Sequence, residues 1–231
     1  MDNRLSFTLV SKTSRRAQHF TVRSLWNAGW SGRDQQTVRH HIEELAEIGV
    51  PAPTTTPIYF PLSNDLATTS TSIQVLGAES SGEVEYALLF RDKGEVFVTV
   101  ASDHTDRAFE RYGIQPAKQL CPKVLAPEIW PYDEVRGHWD HLVLRCWAIR
   151  QDERTLYQQA EVAELLPPEY WFDILTETNI VQPGLVFLGG TPSTIAGWVF
   201  AEAYELELED PILRRMIQHR YEIEVLGSGY P

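Results

Sequence analysis

The chain has 231 residues, and its 43% hydrophobic and 23% charged content is that of a globular protein able to bury a sizeable core. A formal net charge of −12 repels polyanions, which argues against nucleic acid and anionic membrane surfaces as partners. Cys121 and Cys146 are too few for a disulfide scaffold and lack a zinc-ligand spacing, and no apolar run is long enough to span a bilayer, so a reduced, cytoplasmic protein is expected.

Residues 1–10 carry Asp2 and Arg4 and no apolar h-region, so no secretory leader is expected. Residues 5–10 and 19–25 read as strands, and 33–48 as a helix stopped by Gly49 with Pro51 beyond. Pro53, Pro57 and Pro61 then impose an extended path. Strands are expected at 72–75, 84–90 and 96–100, followed by a helix over 103–112 that Ser102 or Thr105 would cap. Further strands fall at 141–149, 155–160, 185–188, 203–208 and 221–225, with a helix at 168–177. Strands outnumber helices and do not alternate regularly with them. This predicts a single α+β domain over 1–231, a β-rich mixed fold rather than a doubly wound sheet.

The most informative segment runs from Ser81 to Phe90. Glu83 and Glu85 are two apart, so in a strand they share a face, and the apolar run behind them suits a strand buried on both sides. Like charges there repel each other and are costly to desolvate, a cost that a divalent cation removes by taking carboxylate oxygens as ligands. The same pair also suits a solvated strand end.

Other places can carry chemistry too, most with a plainer reading beside them. His41 and Glu44 are three apart on the helix, so a carboxylate can fix the tautomer of an imidazole and make it a better base, or the two form an ordinary surface pair. Asp103 sits where a strand ends, a usual position for a catalytic acid or ligand and also for a helix cap. Lys118 stands alone in a turn-rich stretch and reads as a solvated group. Gly189-Gly190-Thr191-Pro192 follows an apolar strand, where glycine lets a backbone approach a ligand and Thr191 offers a hydroxyl and an N–H, or it is a tight turn. Arg33, just before the helix, can place a cation near the site.

Taken in order, these motifs resemble the fumarylacetoacetate hydrolase superfamily from about Gly32 to the C-terminus. The resemblance rests on His41-Ile-Glu-Glu44, the steps Gly49-Val-Pro-Ala-Pro53 and Pro57-Ile-Tyr-Phe60, Glu83-Val-Glu85, Ser102-Asp103-His-Thr105-Asp-Arg107, Lys118 with Cys121-Pro122, Pro183-Gly184, Gly190-Thr-Pro192 and the acidic strand Tyr204-Glu-Leu-Glu-Leu-Glu209. The Gly-Thr-Pro turn runs into Ser193-Thr-Ile-Ala-Gly197 where the family has Gly-Val-Gly.

The resemblance implies a mixed β-sandwich roll, with N-terminal strands over about 1–30 and a lid helix and extended segment over about 31–60. It implies Mg²⁺ or Mn²⁺ held by Glu83, Glu85 and Asp103, and His41 and Glu44 on a lid activating water. Lys118, Arg107, Arg33, Gly190 and Thr191 would position the substrate and stabilise its charge. The implied reaction is hydrolysis of a C–C bond in an acylpyruvate or other 1,3-dicarbonyl by a homodimer. The alternatives are a decarboxylase or enol–keto tautomerase of a 2-oxo acid with the same metal, or a non-catalytic protein that binds such a small molecule.

Overall fold

The structure is a computed structural model that describes residues 3–47, 52–53 and 55–227; for residues 41, 44, 45 and 47 it describes the backbone alone. In chain order the strands are β1 Asn3–Val10, β2 Arg15–Val22, β3 Ser24–Gly29, β4 Ile58–Leu62, β5 Ala67–Thr68, β6 Ser72–Val75, β7 Ser80–Ser81, β8 Val84–Phe90, β9 Val96–Asp103, β10 Thr105–Asp106, β11 Lys123–Leu125, β12 Glu128–Pro131, β13 Val143–Arg150, β14 Glu153–Glu161, β15 Leu185–Leu188, β16 Ala203–Asp210 and β17 Arg215–Val225. The α-helices are α1 Gln35–Glu47, α2 Ile114–Gln119, α3 Tyr132–Val135 and α4 Pro168–Glu177.

Ten strands form a mixed sheet, ordered β2-β1-β12-β9-β8-β15-β3-β4, with β11 joined to the far half of β9 and β5 joined to β11. Five more form a second sheet, β14-β13-β16-β17-β6. Because strand side chains alternate between faces, each strand of the large sheet serves two apolar layers. Tyr86, Leu88 and Phe90 of β8 face the second sheet and pack in one cluster with Leu144, Tyr204 and Trp171. Ala87 and Leu89 point the other way, into a cluster to which every strand of the large sheet contributes, from Leu5 of β1 to Leu188 of β15. A sheet whose ten strands all reach one cluster on one face must curl around it. The α+β roll expected from the sequence is therefore observed.

Helix α1 starts where Asp34 caps it: Gln36 N and Thr37 Oγ1 donate to its carboxylate at 2.9 and 2.8 Å. It lies on the surface, with Val38 and Ile42 only half-buried. Its expected stop at Gly49 lies outside the described residues.

Two expectations need correction. The strand read over 19–25 is two strands broken at Arg23, because Arg23 N and Ser24 N both donate to Gly184 O, and this turns β3 into parallel pairing with β15. The helix read over 103–112 does not form. Asp103 ends β9, Thr105 and Asp106 pair with Ser81 and Ser80, and only a 3-10 turn follows at Glu110–Tyr112. Local side chains take the bonds that a helix would need: Thr105 Oγ1 donates to Asp103 O at 2.9 Å, and Asp106 accepts Phe109 N at 3.0 Å.

Candidate metal centre

The face that β8 turns toward the inside of the roll carries Leu89 and Ala87, then Glu85, and Glu83 follows just before the strand. In the antiparallel register Glu85 lies opposite Ala101, so Asp103 of β9 falls on the same face one step further out. Lys123 of β11 lies opposite Asp103, and Asn27 of β3 lies opposite Leu188, two residues before Gly190. Period-two geometry thus stacks an apolar layer under a polar one at one end of the roll.

Glu83, Glu85 and Asp103 each place a carboxylate oxygen within 4.8 Å of the others. Asp103 is held by two lysines: Lys118 of α2 pairs with Oδ2, and Lys123 Nζ lies 2.8 Å from Oδ1. Glu83 takes Arg107 at 3.0 Å and Lys118 at 3.4 Å. Arg107 also holds Glu110 at 2.8 Å and donates from Nε to Ser81 Oγ at 2.7 Å. Among the described residues Glu85 accepts only amide donors: Gly190 N at 2.7 Å and Asn27 Nδ2 at 3.3 Å from both oxygens.

Among the described residues this network contains four carboxylates and three cations, so one acid lacks a full counter-charge. Glu85 is that acid. Its burial, with Asp103 and Glu83 nearby, pushes its pKa well above the usual carboxylate range. Burial works in the same direction on Asp103, but Lys118 and Lys123 outweigh it and hold its pKa at about 2. Lys118 is pushed upward by the acids around it despite its burial. Lys123 is pushed downward, first by burial and with Lys118 adding to the effect.

The donor set fits a hard divalent cation. Three carboxylate oxygens converge, their charge is under-compensated, and Asn27 Oδ1 is buried without a hydrogen-bond partner among the described residues.

The expected site residues divide into three groups. Glu83, Glu85, Asp103, Arg107, Lys118 and Gly190 meet in one network, and Thr191 adjoins it, its hydroxyl accepting from Gln158 Nε2 at 2.8 Å. Arg33 is engaged elsewhere: its guanidinium makes a bidentate pair with Asp140 at 2.7 and 2.9 Å and donates from Nε to Leu165 O. His41 and Glu44 lie on α1, and their side chains are outside the described residues. Lys118 is not the solvated group of the plain reading; its side chain is buried.

Three residues were not singled out from the sequence. Asn27 within β3, Ser24–Gly29, is a legible anomaly, since Asn is depleted in strands. Lys123 and Gln158 carry no such signal. Gln158 is fully buried on β14, accepts from Val84 N at 3.0 Å and donates to Pro192 O at 2.7 Å, so it ties the start of β8 to the Gly-Thr-Pro turn.

Residues 28–221 match the sequence model of the family described as "Protein of unknown function (DUF2848)". The chain belongs to this family. No curated protein matches this DUF2848 chain in sequence. Among solved structures it is similar to a 2-keto-3-deoxy-D-arabinonate dehydratase complexed with magnesium and 2,5-dioxopentanoate, with a TM-score of 0.63, 14% identity, and 92% of this chain and 77% of that chain covered. It is similar to a fumarylacetoacetate hydrolase from the psychrophilic Exiguobacterium antarcticum, with a TM-score of 0.61, 14% identity and coverage of 92% and 82%. A 4-oxalocrotonate decarboxylase from Pseudomonas putida G7, complexed with magnesium and adipate, gives a TM-score of 0.52, 13% identity and coverage of 86% and 77%. At these identities the likeness is one of fold: the DUF2848 chain has the fold of the fumarylacetoacetate hydrolase superfamily.

Proposed function

We propose that the protein is a Mg²⁺- or Mn²⁺-dependent enzyme that hydrolyses a C–C bond in an acylpyruvate or related 1,3-dicarbonyl compound. The observation that carries this reading is the convergence of Glu83, Glu85 and Asp103, an under-compensated acidic centre on the inner face of a roll shared with enzymes of this chemistry. A bound divalent cation would be held by these three carboxylates and would supply Lewis-acid stabilisation of enolate charge, a contribution of several kcal/mol.

The protein's own groups do the rest. Lys118 and Lys123 keep Asp103 ionised, and Arg107 fixes the direction of Glu83, so the acids are held close together ahead of a cation. The Gly190 N–H orients Glu85. Thr191, held by Gln158, presents its hydroxyl and N–H beside the centre to position the substrate. His41 and Glu44 are assigned, from the resemblance and their spacing on α1, to drawing a proton from the attacking water.

A second reading, decarboxylation or enol–keto tautomerisation of a 2-oxo acid at the same centre, has support from the decarboxylase and dehydratase among the similar structures. Metal analysis of the purified protein, followed by an acylpyruvate panel monitored by loss of enol absorbance and by products, tests both. Two carbon fragments with water consumed support hydrolysis, and CO₂ release or a shifted tautomer supports the second reading. No turnover of any member refutes both. The proposed pairing is with a small molecule, and the homodimer expected from the family belongs to the same proposal.

A further inference from the structure

We propose that Trp198 is a specificity-determining residue that receives an apolar, preferably planar, substituent of the substrate, so that the preferred substrates are dicarbonyls with a large apolar group rather than a second carboxylate. This rests on the functional reading above and names the substrate class it left open.

The argument begins with the cations. A substrate bearing a second carboxylate needs an uncommitted positive group, because the protein's overall field is negative. Among the described residues, each lysine and arginine at the centre is already engaged. Lys118 holds Asp103 and Glu83, and Lys123 holds Asp103 and donates to His104 O at 2.6 Å. Arg107 donates from Nε to Ser81 and from Nη1 to Glu110, and its Nη2 is ion-paired with Glu83 at 3.0 Å. Arg33 is held by Asp140.

Arg107 has its flat face left, and the indole of Trp198 lies over it, with the guanidinium carbon 5.3 Å from the ring centroid. Trp198 is therefore one side chain away from Glu83. It is nonetheless 46% exposed, and Ile195 and Phe200 of the same segment are exposed with it. The segment is pinned: Thr194 bridges to Gln158, Ile195 N donates to Tyr157 O at 3.0 Å, and Glu202 N donates to Ile149 O at 3.0 Å. A fixed segment that follows the Gly-Thr-Pro turn and holds large apolar groups in water at the margin of a charged centre suits an apolar ligand group.

The test compares benzoylpyruvate, acetylpyruvate and oxaloacetate on the full chain with Mg²⁺, using wild type, Trp198→Ala and Trp198→Phe. Wild type is expected to favour benzoylpyruvate by about tenfold or more in kcat/KM, the scale of one well-packed aromatic contact. Trp198→Ala is expected to lose about tenfold on benzoylpyruvate, mainly in KM because the contact is made equally in ground and transition states, and to stay within about twofold on acetylpyruvate. Trp198→Phe should keep most of the preference. Mn²⁺ titration and gel filtration of each variant complete the test.

An equal loss on both acylpyruvates overturns the assignment. So does weakened Mn²⁺ binding, which would make Trp198 a prop for Arg107, and so does a changed oligomeric state with unchanged selectivity, which would make the segment a contact between copies. Turnover of acetylpyruvate or oxaloacetate with no preference for the aryl substrate sinks the Trp198 assignment alone. No turnover of any substrate sinks the functional reading and this inference with it.

Discussion

Lys123 Nζ lies 2.8 Å from Asp103 Oδ1 with neither side chain exposed to solvent. Removing one partner of a buried ion pair costs about 3–5 kcal/mol when the other charge is left alone, but here Lys118 still faces Asp103. Lys123→Met is therefore expected to lower unfolding free energy by less than that in urea titrations. The double variant Lys123→Met/Asp103→Asn should recover part of the loss. A single variant as stable as wild type would show that the pair is not buried in solution.

Glu83→Ala and Glu85→Ala each remove one of three converging oxygens, and both are expected to abolish metal-dependent turnover and to weaken Mn²⁺ binding by calorimetry. Full activity of either variant in the presence of a chelator would refute the site.

Glu85 provides a pH test without activity. Its folded-state pKa lies above the ordinary value, so the metal-free protein is penalised as pH rises from the ordinary carboxylate range through that raised pKa. A divalent cation competes with the proton for the same oxygens. The increase in Tm that Mg²⁺ produces should therefore grow as pH rises above the ordinary carboxylate range, and Glu85→Gln should flatten the trend. A shift independent of pH in wild type would contradict it.

His104 behaves in the opposite sense. It is buried, with Nδ1 3.1 Å from Tyr221 Oη and Nε2 3.0 Å from Ser80 Oγ, and burial, with Lys123 and Arg107 adding, lowers its pKa from 6.5 to about 3. The unfolded chain binds a proton below pH 6.5 that the folded chain refuses until about pH 3. Stability should fall as pH drops through that window, by up to about 1.4 kcal/mol per unit from this residue. His104→Gln should remove that slope in denaturant titrations at pH 6, 5 and 4.

Gly190 has φ of +103°, and an added Cβ would stand 1.6 Å from Ser31 Oγ. Gly190→Ala is expected to displace the N–H that orients Glu85 and to cost at least about 1–3 kcal/mol in backbone strain. Weakened Mn²⁺ binding together with lower stability is the expected result, and unchanged Mn²⁺ affinity would detach this turn from the centre.

The acidic pair, Asp103 and the Gly-Gly-Thr turn were legible because their signals are local: a two-residue spacing, a strand end and glycines after an apolar run. The β-rich mixed fold was legible as a strand-rich pattern, and the roll only through the family resemblance. What stayed hidden depends on partners distant in sequence. Nothing near Lys123 announces that it will face Asp103, because the register between β11 and β9 decides that. Gln158 bonds Val84 and Pro192 across the two sheets, contacts that no single-strand pattern encodes. The helix read over 103–112 failed for a related reason, since Arg107 is drawn inward to Glu83 and Ser81 where a helix would have left it at the surface.

The alternation along β8 has one more consequence. Glu83, Glu85, Ala87 and Leu89 share one side of the strand, while Val84, Tyr86 and Leu88 share the other. The candidate metal centre and interior packing are thus read in the same frame. Deleting a single residue here would present Val84 and Tyr86 to the lysines and turn both acids into the layer between the sheets. Only changes by two residues preserve both faces at once, so a one-residue insertion or deletion inside the strand should cost both the acidic centre and the core.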